Sequence, residues 1–202
     1  MLGSQTSTLD SAGEELARYD MSAVTLDDAR RAVADHLVGD IEQIPPMVSA
    51  IRVDGKRLHE LAREGIEIER EPRPVTIDRF DIVGWVEPGV LGIEVECSAG
   101  TYVRTLADDL GRLLGGGAHL RTLRRTHVGD FTLAEAAPPD ECDLLPVATA
   151  VRSLPVVTVD DDVAALVANG RVLDAWTGDC LLYTSDAADD PTLVLLSGGG
   201  GW

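Results

Sequence analysis

Positive charge is scarce in this chain. Seventeen lysines and arginines face thirty-five aspartates and glutamates, for a formal net charge of −18. Lysine is nearly absent: Lys56 stands alone beside sixteen arginines. Such a deficit excludes indiscriminate nucleic-acid binding, which needs a cationic coat to neutralise phosphates. Cysteine is scarce too. Cys97, Cys142 and Cys180 support neither a disulfide framework nor a Cys-x-x-Cys metal site. His36, His59, His119 and His127 lack metal-ligand spacing, so no metal is expected. Aromatic residues make up 4% of the chain, and the core must be built from Val, Leu, Ile and Ala. No apolar run approaches the ~18 residues of a membrane span, and no signal-peptide pattern opens the chain. A soluble, cytoplasmic protein without internal repeats is expected.

The charge that is present is unevenly distributed. Residues 98–130 carry five arginines against three aspartates, and residues 44–79 balance seven basic with seven acidic groups. The stretches 1–43, 80–97 and 131–179 carry −6, −4 and −7. Positive potential is therefore local, which suits a groove for a polyanion on an otherwise acidic surface.

Periodicity predicts the following elements. Thr25-Leu-Asp-Asp28 is a capping signal for a helix with Leu26, Ala29, Val33 and Leu37 on one face, running through His36 and ended by Gly39. Residues 44–50 should be extended, because Pro45 and Pro46 exclude helix. A short helix over 57–64 stops at Gly65. Residues 75–86 and 91–97 form a strand pair joined through Glu87-Pro-Gly89, with Leu91, Ile93, Val95 and Cys97 on one face. A helix over 101–114 buries Val103, Leu106, Leu110 and Leu113 and ends at the glycine triplet. Residues 120–128 read as a strand, residues 154–159 as another, and residues 164–170 as a short helix.

One constellation carries chemistry. In Cys97-Ser-Ala-Gly-Thr-Tyr-Val-Arg-Thr-Leu-Ala-Asp-Asp-Leu-Gly111 a strand runs through a glycine turn into a helix, delivering Tyr102 and Arg104 to the sheet edge. An arginine in the first helical turn opposes the helix dipole, so a carboxylate or phosphate partner is the natural explanation. Gly115-Gly-Gly-Ala-His-Leu-Arg-Thr-Leu-Arg-Arg125 follows closely. Gly55-Lys56-Arg57 is not a P-loop, since it lacks the upstream glycine and the following Ser or Thr. Ser49 is a loop-ordering hydroxyl rather than a nucleophile.

Together with Gly39-Asp-Ile-Glu-Gln-Ile-Pro-Pro-Met-Val-Ser-Ala50, Gly55-Lys-Arg57, Ala62-Arg-Glu-Gly65 and Arg73-Pro-Val-Thr-Ile77, in this order, these blocks closely resemble the bacterial tRNA pseudouridine synthase B family over roughly residues 2–176. The resemblance implies an α+β pseudouridine synthase fold, a mixed and mostly antiparallel sheet flanked by helices, of which this chain holds the second half. It implies isomerisation of a T-loop uridine of tRNA to pseudouridine, with no cofactor and no metal, by a monomer whose partner is the T-arm of tRNA. Arg104 would pair with the nucleophilic aspartate, Tyr102 would line the pocket and Leu123 would pack against the uracil. Lys56, Arg57, His119, Arg121, Arg124 and Arg125 are the candidate RNA contacts. His59 stands where the family often has tyrosine, and Arg52 where it has lysine.

The family's nucleophile lies in a Gly-x-Leu-Asp-Pro-x-Ala-x-Gly-like segment that has no match here. Leu9-Asp10-Ser11 lacks its flanking residues, and Thr6 to Gly13 resembles the hairpin that follows it. Met1 is therefore expected to open a fragment, inactive by itself, and Asp10 is not expected to be the nucleophile. Three parts are expected: the catalytic-domain portion over 1–153, the start of a PUA-like RNA-binding domain over 154–179, and a tail over 180–202. That tail resembles the translation of a sequencing adapter. Two other functions stay open on the residues. One is a non-catalytic RNA-binding or tRNA-remodelling module; the other is a guide-RNA-dependent relative.

Overall fold

The computed structural model describes residues 1–49, 52–53, 56–63, 65–66, 68–146, 149–150, 152–153 and 161–169. The chain divides into two compact units, Met1–Leu123 and Arg124–Trp202.

In the first unit, strands β1 (Ser4–Thr6) and β2 (Glu15–Arg18) form an antiparallel hairpin. Helix α1 (Leu26–His36) starts where expected. Thr25 Oγ1 accepts from the Asp28 N–H at 3.2 Å, and the Asp28 carboxylate accepts from the Thr25 N–H at 3.1 Å. Gly39 does not end this helix. Leu37 is the C-cap, and Gly39, with φ +88°, opens strand β3 (Gly39–Gln43). A short ladder joins β4 (Arg52–Val53) to β5 (Lys56–Arg57), leading into helix α2 (Leu58–Arg63), whose Leu58 and Leu61 are buried.

Strand β3 pairs with β6 (Arg73–Glu87), which pairs with β7 (Val90–Cys97), all antiparallel. The inward residues of β6 are Val75 and Ile77, then Phe80 and Ile82, so the period slips by one. A register shift between Ile77 and Arg79 absorbs the extra residue and keeps all four side chains on one face. Leu91, Ile93, Val95 and Cys97 of β7 join that face, as their alternation predicts. Ala29, Val33 and Leu37 from α1 pack on it with Leu106 and Leu110 from helix α3 (Val103–Leu113). Leu113 is exposed, contrary to expectation; α3 ends there, and Leu114 turns to the core in its place.

Beyond α3 the chain returns beneath the helix. The Gly3 N–H donates to Gly117 O at 2.8 Å, and the His119 N–H to Met1 O at 3.0 Å. The strand expected over 120–128 does not form. Leu120 makes a single parallel bridge to Asp10, and residues 121–126 have no regular structure. Leu123 is exposed and outside any strand, and of the expected run only His127 and Val128 pair, with Thr132 and Phe131.

In the second unit, β8 (His127–Val128) and β9 (Phe131–Thr132) form a hairpin. Arg152 lies 4.1 Å over the Phe131 ring and pairs with Glu135 through both guanidinium ends. Helix α4 (Asp161–Ala168) begins three residues before the expected 164–170 helix. The expected strand over 154–159 and the tail over 180–202 lie outside the described residues.

Candidate functional site

The site forms where the N-terminus of α3 meets the β1–β2 hairpin. The loop before α3 is tied to β6: the Ser98 N–H donates to Thr76 O at 2.9 Å, and the Thr76 N–H to Ser98 Oγ at 3.0 Å. Gly100, with φ +87°, makes the turn, and Tyr102 is the N-cap. Arg104 sits in the first turn, and of the two partners its misfit with the helix dipole allows, a carboxylate or a phosphate, the structure supplies a carboxylate. Its Nη1 donates to Asp10 Oδ2 and to Thr8 O, each at 3.1 Å, and its Nη2 donates to Val48 O at 2.8 Å. Three of the five guanidinium N–H groups are used in these contacts.

Asp10 is held from the other side. Its Oδ1 accepts from Thr8 Oγ1 at 2.6 Å and from the Ala12 N–H at 3.0 Å. Leu9 precedes it with φ +60°, the one non-glycine residue with positive φ among the described residues. That conformation costs a leucine about 1–2 kcal/mol, and the contacts of Asp10 offset it. Burial raises the Asp10 pKa, but the Thr8 hydroxyl, the Ala12 amide and the Arg104 charge outweigh it, and the carboxyl titrates below its ordinary value. It is ionised at neutral pH. It is engaged by two donors and a cation.

A second link runs parallel to the first. Gln5 Nε2 donates at 3.2 Å to Asp108, which is 1% exposed and also accepts from Arg112 at 2.6 Å. Positions 104 and 108 are one turn apart on α3, so both bind the hairpin from the same helix face.

The other candidates are dispersed. Tyr102 is half-buried two residues from Arg104, and its backbone is bound by Gln43. Leu123 is 57% exposed. The His119 ring turns inward, with Nδ1 3.1 Å from Ser4 Oγ. Arg121 is engaged by Glu87. Arg124 and Arg125 are exposed, in the second unit. Lys56 and Arg57 lie on β5. Among the described residues no cluster of three His, Cys, Asp or Glu could hold a metal ion, and no helix is long and apolar enough to cross a membrane.

Three residues of the site are not singled out by the sequence patterns: Asp10 as a structural partner of Arg104, the buried Asp108, and Gln43. A signal exists for Gln43, which occupies the inward phase of β3, where Ile41 is apolar.

Residues 1–103 match the TruB family pseudouridylate synthase (N terminal domain), and residues 104–142 match the tRNA pseudouridylate synthase B C-terminal domain. The chain belongs to the TruB family. It is 49% identical over 187 residues to tRNA pseudouridine synthase B of Aromatoleum aromaticum, covering 88% of this chain and 60% of that protein. It is 50% identical over 176 residues to the protein of the same name from Symbiobacterium thermophilum, covering 83% and 58%. The chain thus spans about three-fifths of the length of these TruB relatives. A chain in the crystal structure of a Cbf5-Nop10-Gar1 complex superposes with a TM-score of 0.54 at 26% identity, covering 73% of this chain and 45% of that one. The fold is the α+β pseudouridine synthase fold expected from the motifs.

Proposed function

We propose that this chain is the Arg104-bearing part of a tRNA pseudouridine synthase that converts a T-loop uridine to pseudouridine. The observation that supports it best is the pairing of Arg104 with a carboxylate at the start of α3, in a chain of this family. The target uridine must leave its stack, because the attacked atoms are otherwise inaccessible. An aspartate then attacks the flipped nucleoside and the glycosidic bond to nitrogen breaks. The base rotates and rejoins through carbon, that carbon gives up its proton, the freed nitrogen takes one, and the aspartate is released. In this reading Asp10, Thr8 and Val48 hold the guanidinium still, and its remaining N–H groups orient the nucleophilic carboxylate. That carboxylate comes from the family's Leu-Asp-Pro-like segment, which no part of these 202 residues matches. Tyr102 lines the base pocket, Leu123 packs on the uracil, and the basic side chains Lys56, Arg57, His119, Arg121, Arg124 and Arg125 contact the T-arm. The enzyme works as a cytoplasmic monomer without a cofactor.

Two measurements test this. The 202-residue chain should form little or no pseudouridine in a T-loop RNA; clear isomerisation would make an aspartate within it the nucleophile. In a chain extended to the length of its relatives, Arg104→Lys keeps the charge but loses the planar fork. Its single-turnover rate should fall by orders of magnitude, with RNA affinity nearly unchanged. Weakened binding with normal chemistry would make Arg104 an RNA-backbone contact instead.

A further inference from the structure

Gln43 is a primary amide buried to 2% exposure at the end of β3, a strand whose other inward position is Ile41. Burying such a group without partners is costly, so its partners define what it is there for. Both belong to one residue. Gln43 Oε1 accepts from the Tyr102 N–H at 2.7 Å, and Gln43 Nε2 donates to Tyr102 O at 3.1 Å. The side chain therefore pairs with Tyr102 as a neighbouring strand would, and it does so at the N-cap of α3. No side chain of the helix's own caps this end, and the Tyr102 O that Gln43 holds also accepts the helical bond from the Leu106 N–H at 3.1 Å.

Helix phase is set by its first residue, since each following side chain points about 100° further round. Fixing both backbone groups of Tyr102 thus fixes the direction of Arg104, two positions on. The same segment grips the helix a second time. Five residues after Gln43, past Pro45 and Pro46, Val48 O accepts from Arg104 Nη2. Backbone and guanidinium are held by one stretch of chain whose prolines restrict its freedom.

We propose that Gln43 is the positioning residue for Arg104, its amide setting the start of α3 so that the guanidinium meets the Asp10 carboxylate. Its importance for chemistry rests on the isomerase reading above; its effect on the Arg104–Asp10 pair does not. The test uses the isotope-labelled 202-residue chain. The Asp10 carboxyl is titrated with acid by NMR, and the Arg104 guanidinium signals are followed for restricted rotation. Gln43→Met keeps the shape without the hydrogen bonds. Gln43→Asn keeps the amide but is one methylene too short, and supplies the same readouts more mildly if the methionine variant does not fold. Val33→Ala, in the core and remote from the pair, serves as a control for lost stability. The expected result is an upward shift of the Asp10 titration and collapse of the resolved Arg104 signals in the Gln43 variants, with both as in the wild type in Val33→Ala. If a folded Gln43 variant melts earlier but titrates like the wild type at Asp10, with Arg104 still restrained, Gln43 is only a structural residue and the proposal is overturned. Neither readout involves RNA turnover, so a failure here and a failure of the isomerase reading are distinguishable.

Discussion

Asp10 and Asp109 show how environment assigns opposite jobs to the same side chain. Asp10 titrates below 3.8: burial opposes ionisation, but Thr8, Ala12 and Arg104 overcome it. Its folded value is depressed, so it contributes stability above pH 3.8 that is lost as the pH falls through the lower folded value. Asp109 titrates above 3.8, because burial and the neighbouring Asp108 charge outweigh Arg112. Its folded value is raised, so it costs stability at neutral pH, and the cost disappears as the pH falls through the raised value towards 3.8. The two substitutions should therefore differ in sign. Asp109→Asn should raise the melting temperature at pH 7 and match the wild type below pH 3.8. Asp10→Asn should lower it at pH 7 and flatten the acid limb. Melting curves across pH 2–8 for both variants check this, and the same sign for both at pH 7 would contradict it.

At the level of elements, close approach decides what propensity cannot. Gly111 lies inside α3, where alanine would gain about 1 kcal/mol of helix propensity. A Cβ there would stand 2.3 Å from Ala118 N and 2.6 Å from Gly117 C, both backbone atoms of the returning chain. Overpacking against backbone costs about 1–3 kcal/mol or more, so the clash wins. Gly111→Ala should lower stability in urea denaturation, and an unchanged or raised midpoint would show that the returning segment yields freely. Gly116 and Gly117 meet the same demand: a Cβ on Gly117 would reach within 2.7 Å of the Tyr19 ring. The triplet thus does more than end a helix. It lets residues 117–120 pass close enough to pair with Met1, Gly3 and Leu9.

At the level of the whole molecule, charge constrains how the proposed RNA substrate is held. A net charge of −18 leaves no general attraction to phosphate, so a few arginines must supply it. If Arg124 and Arg125 touch the T-arm, replacing either with alanine should weaken RNA binding. It should also flatten the dependence of log affinity on log salt by about 0.7–0.9 for each phosphate no longer neutralised. An unchanged slope would remove that residue from the interface. The residues beyond 179 carry no family motif, and their deletion should leave the melting temperature and RNA affinity as they were. A clear drop in either would tie them to the core.

The sequence by itself determined the family, the hairpin, the capped helix α1, the long strand pair and the glycine turn that delivers Arg104. The family and the hairpin rest on a resemblance of long motifs; the others rest on patterns local to a few residues: a capping box, alternation with period two, a helical stripe ahead of a glycine triplet. It also determined that Arg104 needed an anion. Only the tertiary structure decided which one, because Asp10 is ninety-four positions away and reaches Arg104 through a hairpin bound to α3 at two points. The same holds for Gln43, whose partner lies fifty-nine positions on. Residues 120–128 show the converse: their alternation is a local fact, but a strand exists only where a neighbour offers its backbone, and here Leu120 finds one bridge and Leu123 none.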